Sequence, residues 1–374
     1  MTNTAIERPI TNGDEVQRTL IVVGNPGQGE QRVGMLDSLV DNDAAKKIFT
    51  EASEVVGADI MEISRREDLL GQTRWSQVVT VAANLAINRL IKDEGIEPDM
   101  EYGHSLGELS IFHDWGAIGS VEDVLTMTDH RARITSLTEE EQGQHGGMAA
   151  ILGSEMAVLK SILRNFSRTH AIPKIRISNY NGPSQGVLSL ADNETLERVL
   201  ERLDSLKRLS GLRLKTIKLN VERAFHSEAM LDEALQMAEA IADIEFACPD
   251  TSVELYSTTT GERVKDPEEV PRIIPSQLIR PVRHLQVVRQ IADRATELQA
   301  EQVIFIEAGP NKRITGHGVP EPDKTAEKGT LAPLFKDIWR ERAKTHPVPK
   351  LILRRVSTAQ EAENMDIRQL VMAA

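Results

Sequence analysis

The run Gly103-His104-Ser105-Leu106-Gly107 constrains this chain more than any other stretch. It follows Asp99-Met100-Glu101-Tyr102, which reads as strand, and leads into an amphipathic segment from Leu106 to about Asp114. A G-x-S-x-G run between strand and helix makes a sharp turn that leaves the serine oxygen exposed. The glycines allow the close backbone approach that such a turn needs. Backbone N–H groups at the start of the following helix can then stabilise a developing oxyanion. The expected fold class is therefore α/β, with helices packed on a sheet that carries Ser105 at a strand end.

The remaining periodicity fills in that plan. Thr19-Leu20-Ile21-Val22-Val23 is short, branched and apolar, as a buried strand should be, and runs into a loop over 24–29. Residues 40–57 and 76–92 read as helices, the second with Val78, Val81, Ala82, Leu85, Ala86 and Leu90 at helical spacing. A further helix is expected from Val121 to Ser136 and a loop over 139–147. Then the texture changes. Strand 148–152, helix 155–165, strands 175–178 and 186–190, helix 193–209 and strand 212–219 follow the order of a small ferredoxin-like layer. From Ala224 the larger unit resumes, with helix 228–241, strand candidates 242–248 and 252–256, helix 284–299 and strand 303–307.

The plan is thus a large α/β-hydrolase-like domain with a parallel sheet and an inserted ferredoxin-like subdomain. Its expected division is a flexible tail over 1–18, the large domain over 19–146 and 221–330, the subdomain over 147–220 and a C-terminal extension over 331–374 with a short strand at Leu351-Ile352-Leu353.

Charge and cysteine usage narrow the function. The net charge of -13 disfavours nucleic acid, except at a local basic patch; Lys207, Arg208, Arg213, Lys215 and Lys218 cluster in the small layer as the expected docking face for an acidic partner. Cys248 is the single cysteine, so an internal disulfide is impossible; within Ile244-Glu245-Phe246-Ala247-Cys248 it reads as a buried strand thiol. A cytoplasmic location fits this usage. No apolar run reaches the length of a membrane span, and the polar first residues do not read as a secretory signal. The nine histidines lack ligand spacing, so a metal site is not expected.

A serine hydroxyl needs a base to become a nucleophile. His226, in Arg223-Ala224-Phe225-His226-Ser227, lies at the junction of the small layer and the resumed large unit, where a cleft is expected. His104 is a poor base, because side chains adjacent on a turn point apart. His113, His130, His145, His170, His284, His317 and His346 carry no supporting motif. The loop 24–29 has neither phosphate-loop nor dinucleotide spacing and suits exposed N–H groups near Ser105.

These residues resemble the malonyl-CoA:acyl carrier protein transacylase family, which includes acyltransferase domains of fatty-acid and polyketide synthases. Pro26-Gly27-Gln28-Gly29-Glu30-Gln31, Gly103 to Glu108, Ala224-Phe225-His226-Ser227 with Met230, and Asn179-Tyr180-Asn181-Gly182-Pro183 with Gln185 match its segments in order. So do Gln277-Leu278 with Pro281-Val282, and Glu307 with Gly309-Pro310. The resemblance implies Ser105 as acylated nucleophile, His226 as base, the Gln277 carbonyl orienting that histidine, and backbone N–H groups of Gln28 and Leu106 as oxyanion hole. It implies Gln77 and Asn181 as substrate-binding residues, together with an arginine for the free carboxylate of a malonyl group. Counting without a gap from Ser105 puts His130 at the arginine's place; registering the helix by Glu122-Asp123, with one extra residue in the preceding loop, puts Arg131 there, and Arg131 is the expected residue because loops absorb insertions better than helices.

Departures include Asn25 where an aromatic residue commonly precedes Pro26, Val78-Val79 after Gln77, charges at Glu222 and Arg223, and Asn311 after Gly309-Pro310. The implied reaction moves an acyl group from an acyl-CoA substrate to an acidic acyl carrier protein that docks near the small subdomain, with synthase subunits as further partners and no tightly bound cofactor. A same-fold acyl hydrolase and a non-catalytic carrier-binding subunit are the alternatives. A lipase-like hydrolase fits less well, for want of an acid between Ser105 and a late histidine.

Overall fold

The computed structural model describes residues 18–137, 146–169, 175–221, 223–249, 252–309, 331–363 and 365. Residues 1–17 of the expected 1–18 tail, His145, His170, Glu222 and the segment 310–330 with Pro310, Asn311 and His317 lie outside the described residues, while Arg18 O accepts from Glu301 N at 2.9 Å.

The chain opens with β1 (Thr19–Asn25), then α1 (Asp43–Val56), α2 (Ile60–Arg65), α3 (Glu67–Leu70) and α4 (Thr73–Asp93). Asn42 caps α1 by accepting from Ala44 N and Ala45 N, and Gly57 ends it in the left-handed conformation. Next come β2 (Met100–Gly103), α5 (Gly107–Asp114) and α6 (Val121–Thr135). The small layer follows as β3 (Gly147–Leu152), α7 (Met156–Thr169), β4 (Arg176–Gly182), β5 (Gln185–Leu190), α8 (Asn193–Ser210) and β6 (Lys215–Lys218). The chain then returns through α9 (Leu231–Ala240), β7 (Glu254–Ser257), β8 (Glu262–Arg263), α10 (Val270–Ser276), α11 (His284–Glu297), β9 (Gln302–Ala308), α12 (Leu331–Ala343), β10 (Lys350–Val356) and α13 (Ala359–Glu363).

The large sheet has the order β10-β9-β1-β2-β7-β8, parallel throughout except for the last pair. Parallel strands covered on both faces read as continuous apolar runs, which is why Leu20 to Val23 lack alternation. Ile21 and Val23 face the core formed with α1, α4 and α5, while Leu20 and Val22 face the core formed with α11 and α12. The small sheet is antiparallel with the order β4-β5-β3-β6, the ferredoxin-like arrangement, and packs α7 and α8 on one face. Two backbone hydrogen bonds join it to the large unit, Tyr180 N to Val282 O and Val282 N to Ser178 O, both 2.8 Å.

Two expectations need correction. Residues 242–248 do not form a strand: Phe246 makes a single bridge to Ile118, and Ala247 N donates to Ala117 O at 2.9 Å. The large sheet takes its next strand from β7 instead. Cys248 therefore lies outside the sheet and is exposed, not buried. Residues 331–356 are built into the large unit: β10 pairs with β9 from Lys350↔Gln302 to Val356↔Ala308, well beyond the three strand residues expected there. Among the described residues no helix is long and apolar enough to cross a membrane.

Phe335 on α12 is fully buried and stacks on Phe305 of β9, ring centroids 4.2 Å apart, and on Trp339 at 5.5 Å. Phe335→Ala is expected to lower unfolding free energy by about 3–5 kcal/mol, the range for a deleted core aromatic. Urea unfolding measures this, and a loss well under that range would mean that α12 is only loosely attached.

Candidate active site

The turn after β2 is shaped by what it touches. A Cβ on Gly103 would lie 2.2 Å from Glu108 N, and one on Gly107 would lie 2.4 Å from Asn25 O. Only glycines let α5 start so close to the ends of β1 and β2. His104 N donates to Asn25 O at 2.9 Å, which ties the turn to β1. Ser105 then sits at φ 52°, in left-handed backbone, half-buried at the carboxyl end of the sheet. His226 also has positive φ, at 61°. Such non-glycine residues carry a strain of order 1–3 kcal/mol each and persist only where their surroundings over-determine them.

The sequence-distant residues converge here. Ser105 Oγ and His226 Nε2 are 2.7 Å apart, and His226 Nδ1 lies 2.7 Å from Gln277 O. A carbonyl only accepts, so Nδ1 carries the proton and Nε2 is the free base facing the hydroxyl. Gln277 caps the C-terminus of α10, where the last carbonyls of a helix have no intrahelical partner, so its oxygen is available. Burial, and next the charge of Arg131, push His226 down to about 3. The imidazole is therefore neutral and ready to accept a proton.

The Gln277 side chain adds a second tie. Its Nε2 donates to Ser105 O at 2.8 Å and to Glu108 Oε2 at 2.9 Å. Glu108 is buried and also accepts from Ser257 Oγ at 2.7 Å, Thr258 Oγ1 at 3.2 Å, Thr259 N at 3.1 Å and Thr259 Oγ1 at 2.6 Å. This carboxylate thus fastens α5 to the end of β7 and to Gln277. Sequence reasoning quoted Glu108 only as part of a motif; its position one residue past the last glycine of the turn was the available signal.

The loop after β1 lies against the turn. A Cβ on Gly27 would be 2.6 Å from His104 O and 3.5 Å from Leu106 N. The N–H groups of Gln28 and Leu106 bond no described residue, which leaves two donors beside Ser105. Among the two carboxylate-binding candidates, His130 is exposed and Arg131 is turned inward, 2% exposed. Arg131 Nη1 donates to Gln77 Oε1, and Gln77 Nε2 donates to Thr135 Oγ1 at 2.9 Å. The guanidinium lies 5.8 Å from the Phe225 ring centroid, its Nε has no partner, and no carboxylate of the described residues ion-pairs with it. Burial lowers it to about 10, so it stays charged at neutral pH.

Asn181 lies one histidine away from Ser105: its Oδ1 meets His104 Nε2 at 2.9 Å. Its carbonyl accepts from His284 Nδ1 at 2.8 Å, and Tyr102 OH donates to His284 Nε2 at 3.0 Å. His284, which no motif had marked, is fully buried and links β2, α11 and β4. Its place just after Pro281-Val282 was the only hint. Among the described residues no group of three or more His, Cys, Asp or Glu could hold a metal.

A family model described as the acyl transferase domain matches residues 25–349. The malonyl CoA-acyl carrier protein transacylase of Bacillus subtilis is 29% identical over 295 residues, covering 78% of this chain and 87% of its own. The solved malonyl CoA-acyl carrier protein transacylase of Coxiella burnetii superimposes with a TM-score of 0.75 at 23% identity, covering 95% of this chain and 99% of that one. A malonyl-transacylase solved in complex with a type II polyketide acyl-carrier protein gives 0.73 at 23% identity, covering 92% and 98%.

The depressed histidines set a pH dependence. His226 and His284, both pushed to about 3, and His104, also lowered by burial, are neutral when folded but protonate in the unfolded chain below about 6.5. The unfolded state then binds more protons, so the histidines' share of stability is full above about pH 6.5 and falls as pH drops from there toward 3. Glu101, raised by burial to about 8, runs the other way: its carboxyl keeps a proton in the folded chain from about pH 4.5 upward, so its share falls as pH rises toward 8. Thermal melts should therefore show the histidine fall below about pH 4.5, where the Glu101 trend no longer opposes it. Modification of Ser105 should keep its rate from pH 8 down to about pH 5 without an inflection near 6.5, the midpoint a solvated histidine would give.

Proposed function

The chain belongs to the acyl transferase domain family, and we propose that it moves a malonyl group from coenzyme A to the phosphopantetheine thiol of an acyl carrier protein, through an ester on Ser105. The observation that carries the malonyl reading is Arg131, a buried guanidinium beside Phe225 that no carboxylate of the described residues meets in an ion pair, Glu108 acting on it only from beyond contact distance. A planar guanidinium grips a carboxylate in two-pronged fashion, and a free carboxylate on the acyl group would complete it.

In this reading His226 Nε2 takes the proton of Ser105 as Oγ attacks the thioester carbonyl. The oxyanion lies at the N–H groups of Leu106 and Gln28. When it collapses the C–S bond breaks, the sulfur takes the proton from His226, and coenzyme A leaves. The carrier thiol then gives its proton to His226 as its sulfur attacks the ester, and Ser105 departs with that proton. Gln77 holds Arg131 in place, and Asn181 supports the turn through His104.

Lys207, Arg208, Arg213 and Lys215 are exposed on the small subdomain, at the end of α8, in the connection that follows it and at the start of β6, an edge strand of the small sheet. On a chain of net charge -13 such a local basic face is where an acidic carrier protein would dock. Lys218 contributes less, because it pairs with Glu197 at 2.6 Å.

Intact-mass measurement after exposure to malonyl-CoA or acetyl-CoA tests the site. The wild type should gain a malonyl adduct and Ser105→Ala none. Arg131→Ala should slow malonyl loading by about 10- to 150-fold, the equivalent of about 1.5–3 kcal/mol for a charged hydrogen bond, and spare acetyl loading. Absence of a malonyl adduct would sink the substrate claim, and free malonate as main product with carrier present would replace transfer by hydrolysis. Reversing the charges of Lys207, Arg208, Arg213 and Lys215 should weaken carrier-dependent turnover and leave loading from coenzyme A intact; equal turnover would remove the docking face.

A further inference from the structure

Asn25 ends β1, one residue before the Pro26-Gly27-Gln28 loop, and it is fully buried where an aromatic residue is common. Its amide uses every hydrogen-bonding position it has. Nδ2 donates to Asn88 Oδ1 at 2.9 Å and to Ala308 O at 2.5 Å; Oδ1 accepts from Asn88 Nδ2 at 2.7 Å and from Ser110 Oγ at 3.1 Å. One turn earlier on α4, Asn84 Nδ2 donates to Pro26 O at 3.0 Å. Asn84 and Asn88 are four residues apart and share one face of the helix. A buried amide whose every position is used, as at Asn25, fixes one arrangement where apolar packing would allow several, although Asn84 Oδ1 beside it has no partner among the described residues.

What it fixes is the site. The backbone oxygen of Asn25 accepts from His104 N, and the turn packs on it at Gly107. Leu106 rides on that turn and Gln28 on the loop, so Asn25 is the joint between the two N–H groups. We infer that the Asn25–Asn88 amide pair, braced by Ser110, Ala308 and Asn84, is a positioning device that sets the Gln28 and Leu106 donors at the distance an oxyanion requires. The inference rests on the acyl-Ser105 reading above. Asn25 and Asn88 are positioning residues: the oxyanion meets backbone donors, and the amides act only by placing them.

The test uses Asn25→Ala, Asn88→Ala, the double variant and Asn88→Asp in the full chain, with rapid-quench loading of Ser105 from malonyl-CoA. Asn88→Ala should slow kcat for acyl-enzyme formation by about 10- to 100-fold, as for a displaced oxyanion donor, with KM within about threefold and the pH profile unchanged. The double variant should be no slower than the slower single one, because both break the same link. Asn88→Asp keeps the volume but replaces the amide's two donors by a carboxyl that only accepts when ionised and, when protonated, has one donor to divide between Asn25 Oδ1 and Asp114, so it should be slow as well; it also serves if Asn88→Ala does not fold. Wild-type kcat in a folded Asn88→Ala or Asn88→Asp protein would overturn the inference. So would a double variant whose effect is the product of the singles, or a loss that falls on KM alone. Ser105→Ala separates the two levels. If it abolishes loading while the asparagine variants load normally, only the positioning role falls; if the wild type itself forms no acyl-enzyme, the reading of Ser105 falls with it.

Discussion

The arrangement of the site depends on Gln277. Its backbone oxygen holds His226 Nδ1, and its side-chain amide holds the carbonyl of Ser105 and the carboxylate of Glu108. Base, nucleophile and the buried acid behind them are thus fastened through one residue at the end of α10. Both His226 and Ser105 occupy left-handed backbone that neither would choose alone, and a shared clamp explains how both persist. The clamp is also electrically neutral where it meets the imidazole. An orienting carboxylate would raise the basicity of His226; a carbonyl orients without adding charge, and the nearby Arg131 pushes in the opposite direction.

Much of this was legible in the chain, because the controlling signals were local. The unbroken apolar run of β1, the helical spacing in α4 and the six-element order of the small layer each follow from neighbours within a few residues. The turn at Ser105 was visible for the same reason, and family resemblance tied it to His226 and Gln277. Long-range pairing was not visible. Ile244 to Cys248 has the composition of a strand, but the neighbouring place in the sheet is taken by β7, and the thiol ends at the surface. Leu351 to Leu353 gave no sign that β9 would accept a seven-residue partner. The carboxylate of Glu108 gathers donors from residues 257–259 and 277, which nothing in its own vicinity announces.

Adjacent residues were the hardest to tell apart. His130 and Arg131 differ by about 100° around a helix, so one faces outward while the other enters the site. Registering the helix by Glu122-Asp123 favours Arg131, and the packing of α6 turns that side chain toward Gln77 and Phe225. His104 and Ser105 divide in the same way: the serine meets His226, and the histidine turns to Asn181 and the small sheet. A one-residue choice in each case decides which side chain turns toward the neighbourhood of Ser105 and His226.

The strand order has a consequence for how the protein comes into being. β1 is the first strand of the described residues, yet one of its two neighbours, β9, begins at Gln302. Pairings so far apart along the chain close large loops and slow folding. During synthesis the segment bearing Ser105 emerges 121 residues before His226 and 172 before Gln277. A nascent chain thus carries its serine without base or clamp, chemically silent until Gln277 has left the ribosome.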